Sequence, residues 1–276
     1  MAPFCQQIPL TRHGYCGVGP KSLNSRRISP SAYVEYKRAL GRGSYVERGA
    51  RLFGNVQTDE GVRIDANAVL YGPIKIGRQS YIGPNCVIGF PATNELNQLP
   101  QSHKTGKKPT LLGEKCIVRS GTTLYSNVIV GNNVSFGHNA MVRENVIIGA
   151  GTKIGTNTVV DGSTRIGSRV SIQTGVYVCT YSKIEDGVFL GPCCIFTNDK
   201  FVTQKPYKLI GPTVKKGASI GANALLFPGI VVGEGAVVGS QAMVNVDVPP
   251  RTIYVGIPAR KIRDLPEDWH SSLLQN

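Results

Sequence analysis

Acidic side chains are scarce in this chain: 17 stand against 31 lysines and arginines, for a formal net charge of +14 over 276 residues. The surplus leaves two readings, a solvated basic exterior or an attraction for anionic ligands such as phosphorylated small molecules or nucleic acid. Aromatic residues make up only 7% and form no platform interleaved with the basic ones, which argues against nucleic acid as the partner. No apolar run is long enough to span a membrane, and the first 30 residues have no apolar core of the signal-peptide kind. No membrane insertion is therefore expected. The seven cysteines are odd in number and contain no C-x-x-C, so neither a disulfide framework nor a zinc ribbon is indicated, and a reducing cytoplasmic setting is the expectation.

What the chain does have is a period. From Leu112 to Phe196 an aliphatic or aromatic residue returns every six positions, through Val118, Leu124, Val130, Phe136, Val142, Ile148, Ile154, Val160, Ile166, Ile172, Val178, Ile184 and Leu190, for 15 positions without a miss. Four residues after each comes a small or β-branched residue, as at Cys116, Thr122, Ala140, Thr158 and Cys194, and glycine often follows the aliphatic directly. An α-helix needs apolar spacing near 3.6 and tolerates few such glycines, and hairpin sheets keep no period of six. The run predicts an all-β solenoid of short stacked strands. The low aromatic content fits its narrow interior, which takes aliphatic side chains better than rings.

Taken in order, residues 1–44 predict an irregular basic segment, in which the first 50 residues hold 8 basic and 2 acidic side chains. Ser31 to Leu40, opened by Ser29-Pro30, predicts a short helix. The repeat occupies 45–248 and breaks twice. Between Ile88 and Leu112, 24 residues stand where six are expected, and between Phe196 and Val214, 18 do. Two ejected loops follow, near 90–111, with Phe90-Pro91, Asn94, His103, Lys104, Lys107 and Lys108, and near 197–213, opened by Thr197-Asn198-Asp199. Long loops on a rigid solenoid tend to carry function. The spacing yields 26 hexads, between eight and nine coils, for a prism roughly 40 Å long. Pro249-Pro250 ends the repeat, and 249–276 predicts a tail with a short C-terminal helix from Pro266 to Leu274 that caps the open end.

The hexads resemble the left-handed parallel β-helix of hexapeptide-repeat acyltransferases. Gly217-Ala218-Ser219-Ile220-Gly221-Ala222, Pro228-Gly229 and Val255-Gly256-Ile257-Pro258-Ala259-Arg260 are similar to the carboxy-terminal half of that superfamily. The resemblance implies a homotrimer with acetyl-CoA as co-substrate in the groove between subunits. Gly221, Ala222 and Ala224 then suit the pantetheine arm, and Lys215, Lys216, Arg260 and Lys261 suit the phosphates. The Thr-Asn-Asp loop resembles the enzymes that N-acetylate an amino group on a nucleotide-linked sugar for surface glycans. That makes Asn198 and Asp199 candidates to orient the amine and accept its proton. Asp199 reads equally as the anchor of an Asx turn. His138, the single histidine within the repeat, is a candidate base across a subunit interface. It also supports a rival reading, O-acetylation of a sugar or small alcohol. A non-catalytic scaffold or binding subunit is the reading from another class. The γ-class carbonic anhydrases share the fold but need three histidines for zinc, so no metal is expected.

Overall fold

The computed structural model describes residues 26–96 and 108–275. Its strands, two to five residues long, stack into three sheets of 13, 11 and 9 strands that the chain visits in rotation. These are the first, second and third faces of a prism. The first corner joins the first face to the second, the second corner joins the second to the third, and the third corner returns to the first.

Each strand carries one inward residue. Val118, Phe136 and Ile154 lie in register on the first face and are at most 2% exposed. Successive coils thus stack like side chain on like, and the core runs the length of the prism. The small residue at each corner is buried, and threonines there donate to the next coil, as Thr122 Oγ1 to Gly137 O at 2.8 Å and Thr158 Oγ1 to Gln173 O at 2.9 Å. Cys86 and Cys116 do the same with thiols, to Arg119 O at 3.0 Å and Gly131 O at 3.2 Å. Burial pushes the Cys86 thiol up to about 11 and that of Cys194 up to about 12, so both stay protonated. The residue before the small one adopts left-handed backbone, as at Asn67 (φ 59°) and Asn139 (φ 53°). Asparagine tolerates that conformation better than other non-glycine residues, which is why it recurs there.

The solenoid is longer than the spacing predicts. Twelve strands of the first face, from Arg27–Ile28 to Thr252–Val255, run parallel, for about twelve coils and a length of roughly 55 Å. The helix expected over Ser31–Leu40 does not form. Tyr33–Val34 is a strand paired with Arg51–Leu52, and only Lys37–Ala39 makes a 3₁₀ turn. Ile28, Val34 and Leu40 stand six apart ahead of Val46, and Val34 and Leu40 are buried over the open end of the core. The repeat thus starts near Arg27, inside the segment expected to be irregular.

The carboxy-terminal helix is also absent as an α-helix. Thr252–Val255 adds one more strand, Arg260–Asp264 pairs with it antiparallel, and the tail holds a 3₁₀ turn at Ser272–Leu274. A helix from Pro266 would need the carbonyls of Pro266 and Glu267 for its own amides. Arg251 takes them instead, Nη2 donating to Pro266 O at 2.8 Å and to Glu267 O at 3.4 Å, while Nη1 donates to Trp269 O at 3.3 Å.

Both excursions leave the second face and re-enter the third, so both project from the second corner, at the fourth and ninth coils. The first begins with one α-helical turn, Thr93–Leu96, pinned by Glu95 Oε2, which accepts from Ala92 N at 2.9 Å and Ser126 Oγ at 2.7 Å. The expected loop residues His103, Lys104 and Lys107 lie outside the described residues. Among the described residues, no helix is long and apolar enough to cross a membrane.

Candidate active site

The second loop is built around Asp199. Its Oδ1 accepts from Phe201 N at 2.9 Å and its Oδ2 from Thr203 N at 2.8 Å, so both carboxylate oxygens are engaged in shaping the turn. Phe201 packs edge-on against Tyr207, and Lys205 Nζ sits 3.8 Å above the Phe201 ring. Asn198 ties the loop to the prism: its Nδ2 donates to Thr180 O at 3.4 Å and its carbonyl accepts from Ile210 N at 3.0 Å. The geometry is that of the Asx turn, and it sets Asn198 at a fixed height on the second corner.

His138 stands exposed on the first corner of the sixth coil. Its Nδ1 lies 2.7 Å from Ser120 Oγ, one coil earlier, and its backbone amide donates to Thr156 Oγ1 at 3.3 Å. When Nδ1–H donates to Ser120, Nε2 keeps its lone pair, with no hydrogen-bond partner among the described residues. The residue types at this corner, Ser120, His138, Thr156 and Thr174, are 18 apart in sequence because three hexads complete one coil.

Within one protomer the expected site residues do not converge. Gly221 and Ala222 share the first corner with His138 but lie four coils further on, roughly 19 Å along the axis. Ala224 is fully buried inside the prism. Lys215 and Lys216 belong to the third corner. Glu185 Oε1 holds the Lys215 ammonium at 2.8 Å, and Asp264 holds that of Lys261 at 2.6 Å, so two of the four expected phosphate cations are already paired. Arg260 lies on the exposed final strand, its Nη1 donating to Ala259 O. Lys216 carries no ion pair among the described residues and borders a cavity of about 920 Å³ that Ser219, Glu234, Arg251, Trp269 and His270 also line.

One further cluster escaped the sequence reading. On the second corner, between the two loops, Tyr177 Oη donates to Asp161 Oδ2 at 2.6 Å, and Arg143 pairs with Glu144 at 3.0 Å beneath the Tyr125 ring. Burial, then the bond to Asp161, pushes the Tyr177 phenol well above its ordinary range, so it remains a donor. The only signal was that 143 and 161 are one coil apart.

Two family models match the repeat. The bacterial transferase hexapeptide model (six repeats) covers residues 55–89 and 127–162, and the hexapeptide repeat of succinyl-transferase covers 145–180 and 216–240. A chloramphenicol acetyltransferase of Agrobacterium fabrum is 47% identical over 55 residues, 20% of this chain and 26% of that protein. The chain thus spans about a quarter of the length of such curated relatives. Among solved structures, an Arabidopsis UDP-N-acetylglucosamine acyltransferase is similar over 87% of this chain and 73% of its own, at 16% identity and a TM-score of 0.49. A hexapeptide-repeat acetyltransferase of Vibrio cholerae, solved with acetyl coenzyme A, is similar over 44% of this chain and 71% of its own, at 25% identity and a TM-score of 0.39. The chain thus carries the hexapeptide repeat that these two models describe, in three parallel sheets with one inward residue per hexad.

Proposed function

We propose that the chain is an acyltransferase that moves an acetyl or other short acyl group from its CoA thioester to an amino group on a nucleotide-linked sugar, in surface-glycan synthesis. The observation that carries the reaction class is the 47% identity over 55 residues with an acetyltransferase. The residues that would perform it are His138 with Ser120, and the loop opened by Asn198. His138 Nε2 takes a proton from the substrate ammonium, and the neutral nitrogen attacks the thioester carbonyl. The C–N bond forms and the C–S bond breaks; the second proton shed by the acylated nitrogen goes to the departing thiolate, and the one on His138 is released to solvent. Asn198 orients the sugar, and Asp199 holds the loop's shape.

A second copy of the chain supplies what one protomer lacks. Outward positions on the second face are apolar at Val69 and Val87 and, past Thr123, at Met141, Val159, Tyr177, Ile195, Leu225 and Met243. The same positions on the other faces include Arg63, Lys153, Lys75, Arg165 and Lys183. An apolar strip of that length is costly in water and marks an interface. Three prisms packed by their second faces around a three-fold axis set the first corner of each beside the second corner of its neighbour. His138, at the sixth coil, then stands between the levels of the two loops, at the fourth and ninth coils. Sedimentation is expected to report about three times the 29.6 kDa chain mass; a monodisperse monomer would break this reading. A cytoplasmic setting belongs to it, and the five cysteines among the described residues are all free thiols.

The Ser120–His138 pair also favours a second reading, since a hydroxyl acceptor needs such a base more than an amine does. Release of free CoA thiol, followed across UDP- and dTDP-linked amino sugars and their hydroxyl analogues, separates the two. Amines are expected to turn over faster by at least about tenfold; preference for hydroxyls transfers the assignment to O-acylation, and absence of turnover with any thioester removes both.

A further inference from the structure

The third corner lies opposite the apolar second face, so a trimer built on that face leaves it free. Here the tail turns back along the prism. At coil corners where other positions carry side chains such as Lys115, Asn133 or Arg169, three consecutive corners hold glycine in left-handed backbone: Gly187 (φ 65°), Gly217 (φ 66°) and Gly235 (φ 62°). The tail lies in the channel they leave. Ser271 Oγ donates to Gly187 O at 2.8 Å, and a Cβ at Gly187 would overlap the Leu274 side chain. Arg251 holds three tail carbonyls, and Arg263 lies 5.7 Å above the Trp269 ring. The strap and corner line the open cavity of about 920 Å³, a size that suits a molecule with a ring system and several polar groups.

We infer that this cavity is a nucleotide-binding site contained within one protomer, apart from the groove between protomers, with Trp269 as the platform for the base and Lys216 as the cation for the phosphate. Trp269 is the chain's only tryptophan, and it stands 48% exposed in a cavity wall, with Arg251 Nη1 donating to its carbonyl and Arg263 over its ring, while Arg251 also holds the carbonyls of Pro266 and Glu267 just before it. A large ring left half open is favourable where a second ring stacks on it. Lys216 supplies an ammonium without a competing carboxylate, while Glu185, whose Oε2 accepts the Lys216 amide at 3.0 Å, spends its other oxygen on Lys215. The other charged groups on the wall are Arg251, whose bonds go to the tail, His270, and the carboxylates Glu234 and Asp268. With formal charge on the wall balanced between Lys216 and Arg251 and the two carboxylates, stacking on Trp269 and the Lys216–phosphate contact together set the affinity, and Lys216 sets where the phosphate lies.

The single tryptophan makes the test direct. Trp269 emission of the full chain is titrated separately with AMP, UDP and CoA. At least one is expected to change it saturably. A response to AMP or UDP identifies an occupant separate from the acyl donor, and a response to CoA alone identifies the donor's own nucleotide. Gly187→Asn keeps the backbone conformation that asparagine accepts at Asn139 but displaces Leu274, and is expected to weaken binding at least about tenfold. Gly151→Asn, at the same kind of corner with only the Arg169 side chain at 3.6 Å, is the matched control and is expected to change it by less than about twofold. Lys216→Ala, on the surface and no threat to folding, is expected to weaken binding about tenfold. A flat emission response to all three nucleotides, or equal affinity in the two asparagine variants together with an unaffected Lys216→Ala, overturns the site. Thioester turnover with flat emission would remove this site while leaving the proposed reaction standing, and the converse result would do the opposite.

Discussion

Replacing His138 with alanine is expected to lower kcat for acyl transfer by about 10²- to 10⁴-fold, the usual range for loss of a positioned base. The side chain is exposed and makes a single side-chain hydrogen bond, to Ser120, so the melting temperature should hardly move. Ser120→Ala removes the group that orients the imidazole and selects its tautomer, and should cost about tenfold in kcat with little change in KM for the thioester. Asp199→Asn should behave differently. One amide contact survives on the remaining carbonyl oxygen and the other is lost, so the loop loosens and acceptor KM rises more than kcat falls. Thiol-release kinetics on the three variants reads all of this. A His138→Ala enzyme within about threefold of wild type, beside an Asp199→Asn enzyme that is nearly dead, would reverse the roles of the two residues.

Phe136→Ala should give the largest change in stability, about 3–5 kcal/mol, as expected for emptying a close-packed aromatic site. Phe136 has no exposed surface and is bracketed in register by Val118 and Ile154. The prism has little freedom to collapse around the void, because each coil's backbone is held by the coils above and below. Gly155 illustrates how tight that stacking is: a Cβ there would overlap the backbone of Gln173 on the next coil. In a solenoid, stability is nearly a sum of neighbour terms, so the loss should concentrate in the fifth to seventh coils. Urea unfolding measures the total and amide exchange its location. A cost under about 1 kcal/mol would mean that the prism relaxes where close packing says it cannot.

The six-residue period announced the fold because it is a local property. Whether Phe136 or Leu190 points inward depends on its phase alone, and the same phase extends the solenoid to Ile28, Val34 and Leu40, where the Ser-Pro helix signal competes with it. The asparagines before the small corner residues were equally legible. The role of Asp199 was balanced in the sequence between a proton acceptor and a turn anchor, and the amides of Phe201 and Thr203 favour the anchor.

Composition and period alone thus decided the all-β solenoid and the two places where the chain must leave it, while the candidate residues followed from the resemblance to the acyltransferases. Tertiary structure decided where those residues stand. Asn198 and His138 are on different corners, Ala224 is inside the prism, and Lys215 is spent on a carboxylate 30 residues away in the chain. The tail becomes a strap because Arg251 outcompetes a helix for its carbonyls and because Ser271 meets Gly187 across 84 residues. A period of six encodes inward and outward at every step, but contacts between coils join residues 15 or more positions apart, and those select the partners on which a site depends.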